Sequence, residues 1–419
     1  MHGMVSPPSH WTRATLKDCC ARPDYGYTTS ASTEPVGPKF LRITDIQDGK
    51  VDWKKVPYAG LANHTSDTSR LEAGDIVIAR IGATTGKAFL IGECPEAVFA
   101  SYLIRVRTKP NTSPEFLSFF FQSADYWNQI DQRKGGRLKG GVNIPNLESL
   151  SLFLPPLAEQ RAIAHVLQTV QDAREARQRE LALERERKTA LMEHLFTHGV
   201  RDEATKQSEI GEIPESWRVA SLSEVAKISS GGTPDRSKPE YWGGTIPWVR
   251  TGEIRYNTIV STEERITQEG LENSAARILP AGTLLMAMYG QGVTRGKVAI
   301  LGIDAAINQA CAAITPRGAD LSPRFAFHYL QFAYESIRVL GHGANQKNMN
   351  SHLVGSILVP LPPTAEQEKI SDVLTAIDAK VNSVGYENGL LGELFNALLK
   401  ELMTGQVGVG GLIAGGSNE

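Results

Sequence analysis

The chain has 419 residues, 41% of them hydrophobic and 21% charged, with 44 Lys and Arg against 46 Asp and Glu for a formal net charge of −2. That composition excludes a disordered or fibrous chain and leaves room for two or three domains, each with its own core; the near-neutral balance argues against strong nonspecific grip on nucleic acid by the chain as a whole. No run of about 18 apolar residues and no charged-then-apolar leader is present, so no membrane partner and a cytoplasmic location are expected.

Taken in chain order, Trp11-Thr-Arg-Ala-Thr-Leu16 begins the first β-like stretch. Short strands are expected at 39–43, 75–81 and 101–106, separated by Gly, Pro, Asn and Asp turns, with a helical patch over 113–130. Between them lie Arg80 and the glycine turn Gly82-Ala-Thr84-Thr85-Gly86-Lys87. It lacks the glycine spacing and the following Ser or Thr of a nucleotide phosphate loop, so a turn offering hydroxyls and one Lys to a DNA backbone is the better reading, beside a plain hairpin. A basic cluster follows, Gln132-Arg133-Lys134-Gly-Gly-Arg137-Leu-Lys139-Gly-Gly-Val-Asn143. Its glycines allow close backbone approach, and its Arg, Lys and Asn are donors suited to phosphates and purine edges. The four cysteines, Cys19, Cys20, Cys94 and Cys311, form no CxxC pair and are read as reduced thiols.

Leu154-Pro-Pro-Leu-Ala-Glu159-Gln160-Arg-Ala-Ile163-Ala-His-Val-Leu167 then opens a long amphipathic helix, and the sequence starts over. After a polar linker, Trp217-Arg-Val-Ala-Ser-Leu222 repeats the opening about 206 residues on, and Leu361-Pro-Pro-Thr-Ala-Glu366-Gln367-Glu-Lys-Ile370-Ser-Asp-Val-Leu374 repeats the helix start about 207 residues on. The second copy has strand candidates at 283–289 and 297–301 and a helical patch at 322–340. Gln291, Thr294, Arg295 and Lys297 match the first glycine turn, and Gly341-His342-Gly-Ala-Asn345-Gln346-Lys347-Asn348 matches the first basic cluster. A duplication of this size fixes the architecture: module 1–156, helix 157–198, linker 199–213, module 214–363, helix 364–404 and a Gly-rich mobile tail 405–419. The fold class expected is α+β, with two loop-rich mixed α/β modules joined by two long antiparallel coiled-coil helices in a pseudo-twofold internal repeat.

From Ile370, alternate steps of four and three reach Leu374, Ile377, Val381, Val384, Asn388, Leu391, Phe395, Leu398 and Leu402, a coiled-coil seam. The first helix has the same register with apolar ends at Ile163, Leu167, Leu191 and Leu195 and a charged middle. At about 1.5 Å per residue each helix spans about 60 Å, so paired antiparallel they would hold two similar modules at a fixed separation. The modules carry the positive charge: 18 Lys and Arg against 15 Asp and Glu in 1–156, and 14 against 12 in 214–363.

Catalytic chemistry is not legible. There is no GxSxG, HExxH, phosphate loop or Asn-Pro-Pro-Tyr methylation motif. His194 and His198 lie four apart on a helix without an evident third ligand, and Glu186-Arg-Lys188 sits in alternating charge that suits a solvated face.

The Pro-Pro…Ala-Glu-Gln helix starts, the helix end Leu191-Met-Glu-His-Leu-Phe-Thr-His-Gly199 and the stretch Gly231-Gly-Thr233-Pro-Asp-Arg236-Ser-Lys-Pro-Glu-Tyr241-Trp-Gly-Gly-Thr-Ile-Pro-Trp248 together resemble the specificity subunit of type I restriction-modification systems over nearly the whole chain. The resemblance implies a noncatalytic protein with two target-recognition domains reading the halves of an interrupted site in double-stranded DNA, joined by helices that act as a ruler. It implies two methyltransferase subunits, bringing S-adenosylmethionine, and restriction subunits, bringing ATP and Mg-dependent translocation and cleavage; no cofactor is expected on this chain. Thr233, Arg236, Tyr241 and Arg250 join the expected DNA-binding residues, and Glu159, Gln160, Ile163, Leu167, Glu366, Gln367, Ile370, Leu374, Leu391 and Leu398 are expected in the helix and subunit interfaces. The first module reads Tyr25 to Gly37 in place of the Gly-Gly-Thr-Pro stretch, so the half-sites are expected to differ. The rival classes are a coiled-coil scaffold, a stand-alone DNA-binding protein and a self-sufficient nuclease or methyltransferase.

Overall fold

A computed structural model of the chain describes residues 7–35, 37–47, 49–60, 70–133, 141–290, 294–340 and 349–411. It divides into two compact units, residues 1–178 with 386–419, and residues 179–385. Each unit thus holds one module together with half of each long helix.

In unit 1 the aliphatic strand Ile76–Ala79 is buried throughout, and so is Leu103–Val106, whose one charged residue, Arg105, is paired with Asp24 and Asp75. They pair antiparallel, with Asp24–Tyr25 and Ala88–Leu90 completing a four-stranded sheet. A second four-stranded sheet has the order Ala97–Phe99, Lys39–Leu41, Tyr58–Ala59, Ala31–Ser32, its first pair parallel. Against the first sheet packs the helical patch, split at 121–123 into Pro114–Phe120 and Ala124–Arg133. Ser113 caps the former by accepting from the Phe116 amide, with Pro114 at the first helical position, where its missing N–H costs nothing.

Unit 2 repeats this skeleton. Leu284–Ala287 lies between Cys311–Pro316 and Val298–Leu301, all antiparallel, in a five-stranded sheet. A four-stranded sheet carries Trp242–Val249 parallel to Ala305–Ile307. The helical patch is again broken, into Pro323–Phe332 and Tyr334–Val339. In each unit a two-stranded ribbon ties the start of the module to the strand that feeds the long helix: Thr12–Thr15 with Ser151–Leu154, and Arg218–Ser221 with Leu358–Leu361.

The long helices run Leu157–His198 and Thr364–Met403. Within unit 1, Ile163 and Leu167 share a core with Phe395, Leu399 and Leu402. Within unit 2, Met192 and Leu195 share one with Ile370, Leu374 and Ile377. Both contacts are antiparallel and follow the seam read from the sequence. The charged middle of the first helix is paired across it: Arg177 Nε is 3.1 Å from Glu387 in unit 1, and Lys380 Nζ is 2.7 Å from Glu180 in unit 2.

Two expectations are corrected. The polar stretch 199–213 is not plain linker: Thr205–Ser208 and Gly211–Pro214 form a hairpin, with Gly211 at φ +105 in its turn and Ile213 buried in the unit 2 core. The tail is not free from its start: Val409 is buried in the unit 1 core, and Gly405, at φ +70, lies against Pro8 and Trp11. Gly199, also at φ +70, lies against Pro214 and Trp217 in unit 2 in the same way. Residues 412–419 lie outside the described residues.

Candidate nucleic-acid interface

The repeated Glu-Gln pair is an internal clamp. Gln160 is fully buried; its Oε1 accepts from the Ser113 amide at 2.8 Å, and its Nε2 donates to the Asn111 carbonyl at 3.1 Å and the Pro155 carbonyl at 2.9 Å. Gln367 repeats this geometry, accepting from Ser322 N at 2.8 Å and donating to the Asp320 and Pro362 carbonyls at 2.8 and 2.9 Å. One amide satisfies the proline carbonyl that enters the long helix and a free N–H at the start of the packed helix, groups that have no partner within their own helices. Glu159 accepts from Trp11 Nε1 at 3.1 Å and meets His10 Nε2 at 2.9 Å, whereas Glu366 accepts from the Val200 amide at 3.0 Å. Glu159, Gln160, Glu366 and Gln367, with the buried Ile163, Leu167, Ile370 and Leu374, therefore fasten each helix to its own module and, through the four aliphatic residues, to the other helix. Leu391 and Leu398 are half-buried.

The two glycine turns have one geometry. Gly86 N donates to Ala79 O and Lys87 N to Thr84 O; Gly296 N donates to Ala287 O and Lys297 N to Thr294 O. Each joins adjacent antiparallel strands, the hairpin reading, and the left-handed Gly86 (φ +92) packs on Trp127 while Gly296 (φ +85) packs on Ile337. Lys87 is exposed and Thr84 half-buried. Thr85 is corrected: it is buried and its hydroxyl donates to Gly82 O at 2.7 Å, so it is spent inside the turn. Arg295 is tied to the Arg338 carbonyl at 2.7 Å, and Lys297 Nζ stands 5.5 Å from the Tyr256 ring.

Of the basic clusters, Lys134, Arg137, Lys139, Gln291, His342, Asn345, Gln346, Lys347 and Asn348 lie outside the described residues. Their C-terminal flanks are described, and they return to matched places. Val142 N donates to Arg80 O, and Met349 N to Met288 O, at the end of the strand that leads into the glycine turn. The residue that follows each cluster thus lies beside the strand end that leads into the glycine turn in each unit. Arg80 lies with Cζ 4.6 Å from the Tyr25 ring. Arg133 and Asn143 are corrected to structural roles: the Arg133 guanidinium donates to Gln129 O and Ser149 O, and Asn143 caps the helix Ile144–Glu148, as Asn350 caps Ser351–Gly355.

In unit 2 the Gly-Gly-Thr-Pro stretch builds a stacked cluster. Arg236 Cζ is 3.7 Å from the Trp242 ring centroid and its Nη1 is 2.6 Å from Glu264; Arg250 bonds Glu263 and reaches Glu264 at 3.1 Å. Stacking and carboxylates hold both guanidiniums in place on an exposed face. Thr233 Oγ1 accepts from Asn308. Tyr241 is corrected: it is buried to 3% exposure, its hydroxyl met by Lys238, so it belongs to the core. Sequence reasoning missed why the glycines are there. A Cβ on Gly231 would sit 1.9 Å from Ile307 O, and one on Gly232 2.1 Å from Ala276 N. Gly26 answers Gly231 in the first module, 2.1 Å from Phe99 O by the same measure, and was legible as a lone glycine between Tyr25 and Tyr27.

Lys188, of the Glu-Arg-Lys fragment, is tied to Asp378 at 2.5 Å, and His194 stacks on His198. Among the described residues no group of three or more His, Cys, Asp or Glu is placed to hold a metal, and no helix is long and apolar enough to cross a membrane.

The family model described as the type I restriction modification DNA specificity domain matches residues 8–185 and again 214–388. The chain belongs to that family. Its two matched stretches are two copies of the specificity domain, each taking in a module and much of the helix that follows, and this two-domain arrangement fits the family's role in DNA sequence recognition. The chain is 27% identical over 413 residues, 96% of its own length and 95% of the relative's, to a putative type I restriction enzyme MjaX specificity subunit of Methanocaldococcus jannaschii. It is 26% identical over 178 residues, 42% of this chain and 43% of the other, to the type I restriction enzyme EcoR124I/EcoR124II specificity subunit of Escherichia coli. The crystal structure of the type I restriction-modification S subunit from M. genitalium shares the fold, with a TM-score of 0.64 over 95% of this chain and 99% of that one at 15% identity.

Proposed function

We propose that this chain is the noncatalytic specificity subunit of a type I restriction-modification complex, in which each module reads one half of an asymmetric, interrupted site in double-stranded DNA. The observation that carries the reading is a shared skeleton with divergent edges. Both modules place a glycine turn and the flank of a basic, Asn-containing loop on one edge. Around that common frame unit 1 sets Arg80, Tyr25 and Lys87, whereas unit 2 adds the Arg236, Trp242 and Arg250 cluster. Similar frames with different donors suit two different half-sites.

The long helices act as the ruler between half-sites, and their outer faces seat two methyltransferase subunits. Tyr386, Leu390 and Leu394, spaced by four on the second helix, are exposed to 69, 45 and 46%, an apolar stripe suited to a partner helix. S-adenosylmethionine, ATP and Mg enter through those methyltransferase subunits and through the restriction subunits that join them. The test is replacement of residues 214–363 by the second module of another family member, followed by sequencing of methylated adenines in a host carrying the partner subunits. One half of the methylated motif changes; a change in both halves, or in neither, refutes the two-reader assignment.

A further inference from the structure

We propose that unit 2 carries a binding cleft for a phosphate-bearing nucleobase, present once per chain. The cleft, ≈ 980 Å³, lies between the module and the helix pair within residues 179–385, a size typical of small-molecule sites. Arg185, Lys188 and Arg324 bring positive charge to its rim, against Asp378 inside it. Lys188 is engaged by Asp378 and by Gln331 at 2.9 Å, and Arg324 by Asp372 at 2.9 Å; Arg185, exposed on its helix, has no carboxylate partner among the described residues.

The other walls are rings. Tyr256, Phe327, Phe332 and Tyr334 line the cleft, with Tyr256 edge-on to Tyr334 at 5.9 Å. Tyr256 is held at φ +61, a left-handed backbone unfavourable for a bulky residue and persisting chiefly at functional sites.

Two lining residues bury a polar atom that has no hydrogen-bond partner among the described residues, the Tyr256 hydroxyl and Nδ1 of His328. His328 is exposed to only 3%, its Nε2 is 3.2 Å from Thr375 Oγ1, and the Asp378 carboxylate stands 3.8 Å from Nδ1. An unmade buried hydrogen bond is destabilising, and two in one cleft are what a ligand with its own donors and acceptors relieves. Ring faces for a planar base, amides for its edges at Asn257, Asn382 and Gln331, and a free guanidinium for phosphate are the elements of nucleotide recognition.

Among the described residues, the aligned repeat gives unit 1 a less polar lining at the matching place. Arg324, Phe327 and His328 are answered in unit 1 by Glu115, Ser118 and Phe119, and Lys188 by Phe395, while Tyr334, which packs with Ile337 on Gly296, is answered by Trp127, which packs with Ile130 on Gly86. Phe119 and Phe395 there pack ring to ring at 6.1 Å, where unit 2 has its polar lining. This inference stands whether or not the modules read DNA.

The same chemistry is offered by a free nucleotide and by an unpaired nucleotide displaced from a duplex. The full chain is titrated with ATP and AMP in one arm, and in the other with a short duplex carrying one unpaired adenine against its fully paired counterpart. The expected result is one-to-one binding of a nucleotide, or preference for the unpaired adenine, weakened roughly tenfold or more by R185E and by Y334A, with the fold checked by circular dichroism. Binding of neither probe, binding unchanged in both variants, two sites per chain, or capture of a Glu-rich peptide in place of either probe overturns the proposal.

Discussion

Replacing Gln160 by Ala or Met strikes unit 1 at one atom pair. The side chain is wholly buried and makes three hydrogen bonds, one as acceptor and two as donor. Its loss strands the Ser113 amide and the Asn111 and Pro155 carbonyls, all close to the long helix's entry. At about 1 kcal/mol for each bond made, and more where a stranded donor stays buried, Q160M costs roughly 3–5 kcal/mol although it preserves most of the volume. Because unit 2 has its own copy of the clamp, Q367M does the same there. Urea unfolding followed by fluorescence and by proteolytic mapping separates the two: Q160M lowers the transition of residues 1–178 and Q367M that of residues 179–385. A loss below about 1 kcal/mol in both variants refutes the clamp, since hydrogen bonds at these distances in a dry site are worth more than that together.

Three further outcomes are expected. G231A drives a Cβ to 1.9 Å from the Ile307 carbonyl, so unit 2 loses several kcal/mol while unit 1 is unchanged; wild-type stability in thermal unfolding refutes the close approach. Burial, with Lys188 and Arg324 nearby, holds His328 near 3 instead of 6.5, so the unfolded chain takes up a proton there that the folded one refuses, and unit 2 loses up to about 1.4 kcal/mol per pH unit as pH falls from 6.5 toward 3. H328F, which copies Phe119, loses less between pH 7 and pH 5 than wild type in urea unfolding; an equal loss refutes the assignment. Four residues inserted beside Leu181 lengthen the spacer of the methylated motif and leave both half-sites intact, and an unchanged spacer refutes the ruler.

Where the sequence carried a period or a repeat, the fold was legible. The seam from Ile370 to Leu402 is the buried line of the second helix because alternating steps of four and three keep one face inward. The strands at 75–81 and 101–106 stood out as apolar runs between turn residues, and the fully buried Ile76–Ala79 and Leu103–Val106 lie inside them. The site was less legible, since a polar residue reads alike whether it faces solvent or a neighbouring carbonyl. Gln160, expected in the helix and subunit interface, and Arg133, expected on DNA, are occupied by internal hydrogen bonds because their partners at Ser113 and Ser149 are set by tertiary packing, and Tyr241, expected on DNA, is buried with its hydroxyl met by the nearby Lys238. The hairpin at 205–214 is illegible for a related reason: its strands are mostly polar, and the Ile210, Ile213 and Pro214 that anchor it form no alternating pattern.

Gly199 and Gly405 close their helices in the same left-handed turn, each against the tryptophan that begins a module. At Gly199 the chain runs on into that module; at Gly405 it meets Trp11, whose module was made first. The succession of parts is therefore cyclic, each long helix ending on the start of a module. A chain opened in the turn between Ser208 and Gly211 and joined from 411 to 7 carries the same two module-and-helix repeats in the opposite order. A lineage is thus free to exchange a whole half, module and helix together, at either joint without redrawing the remainder.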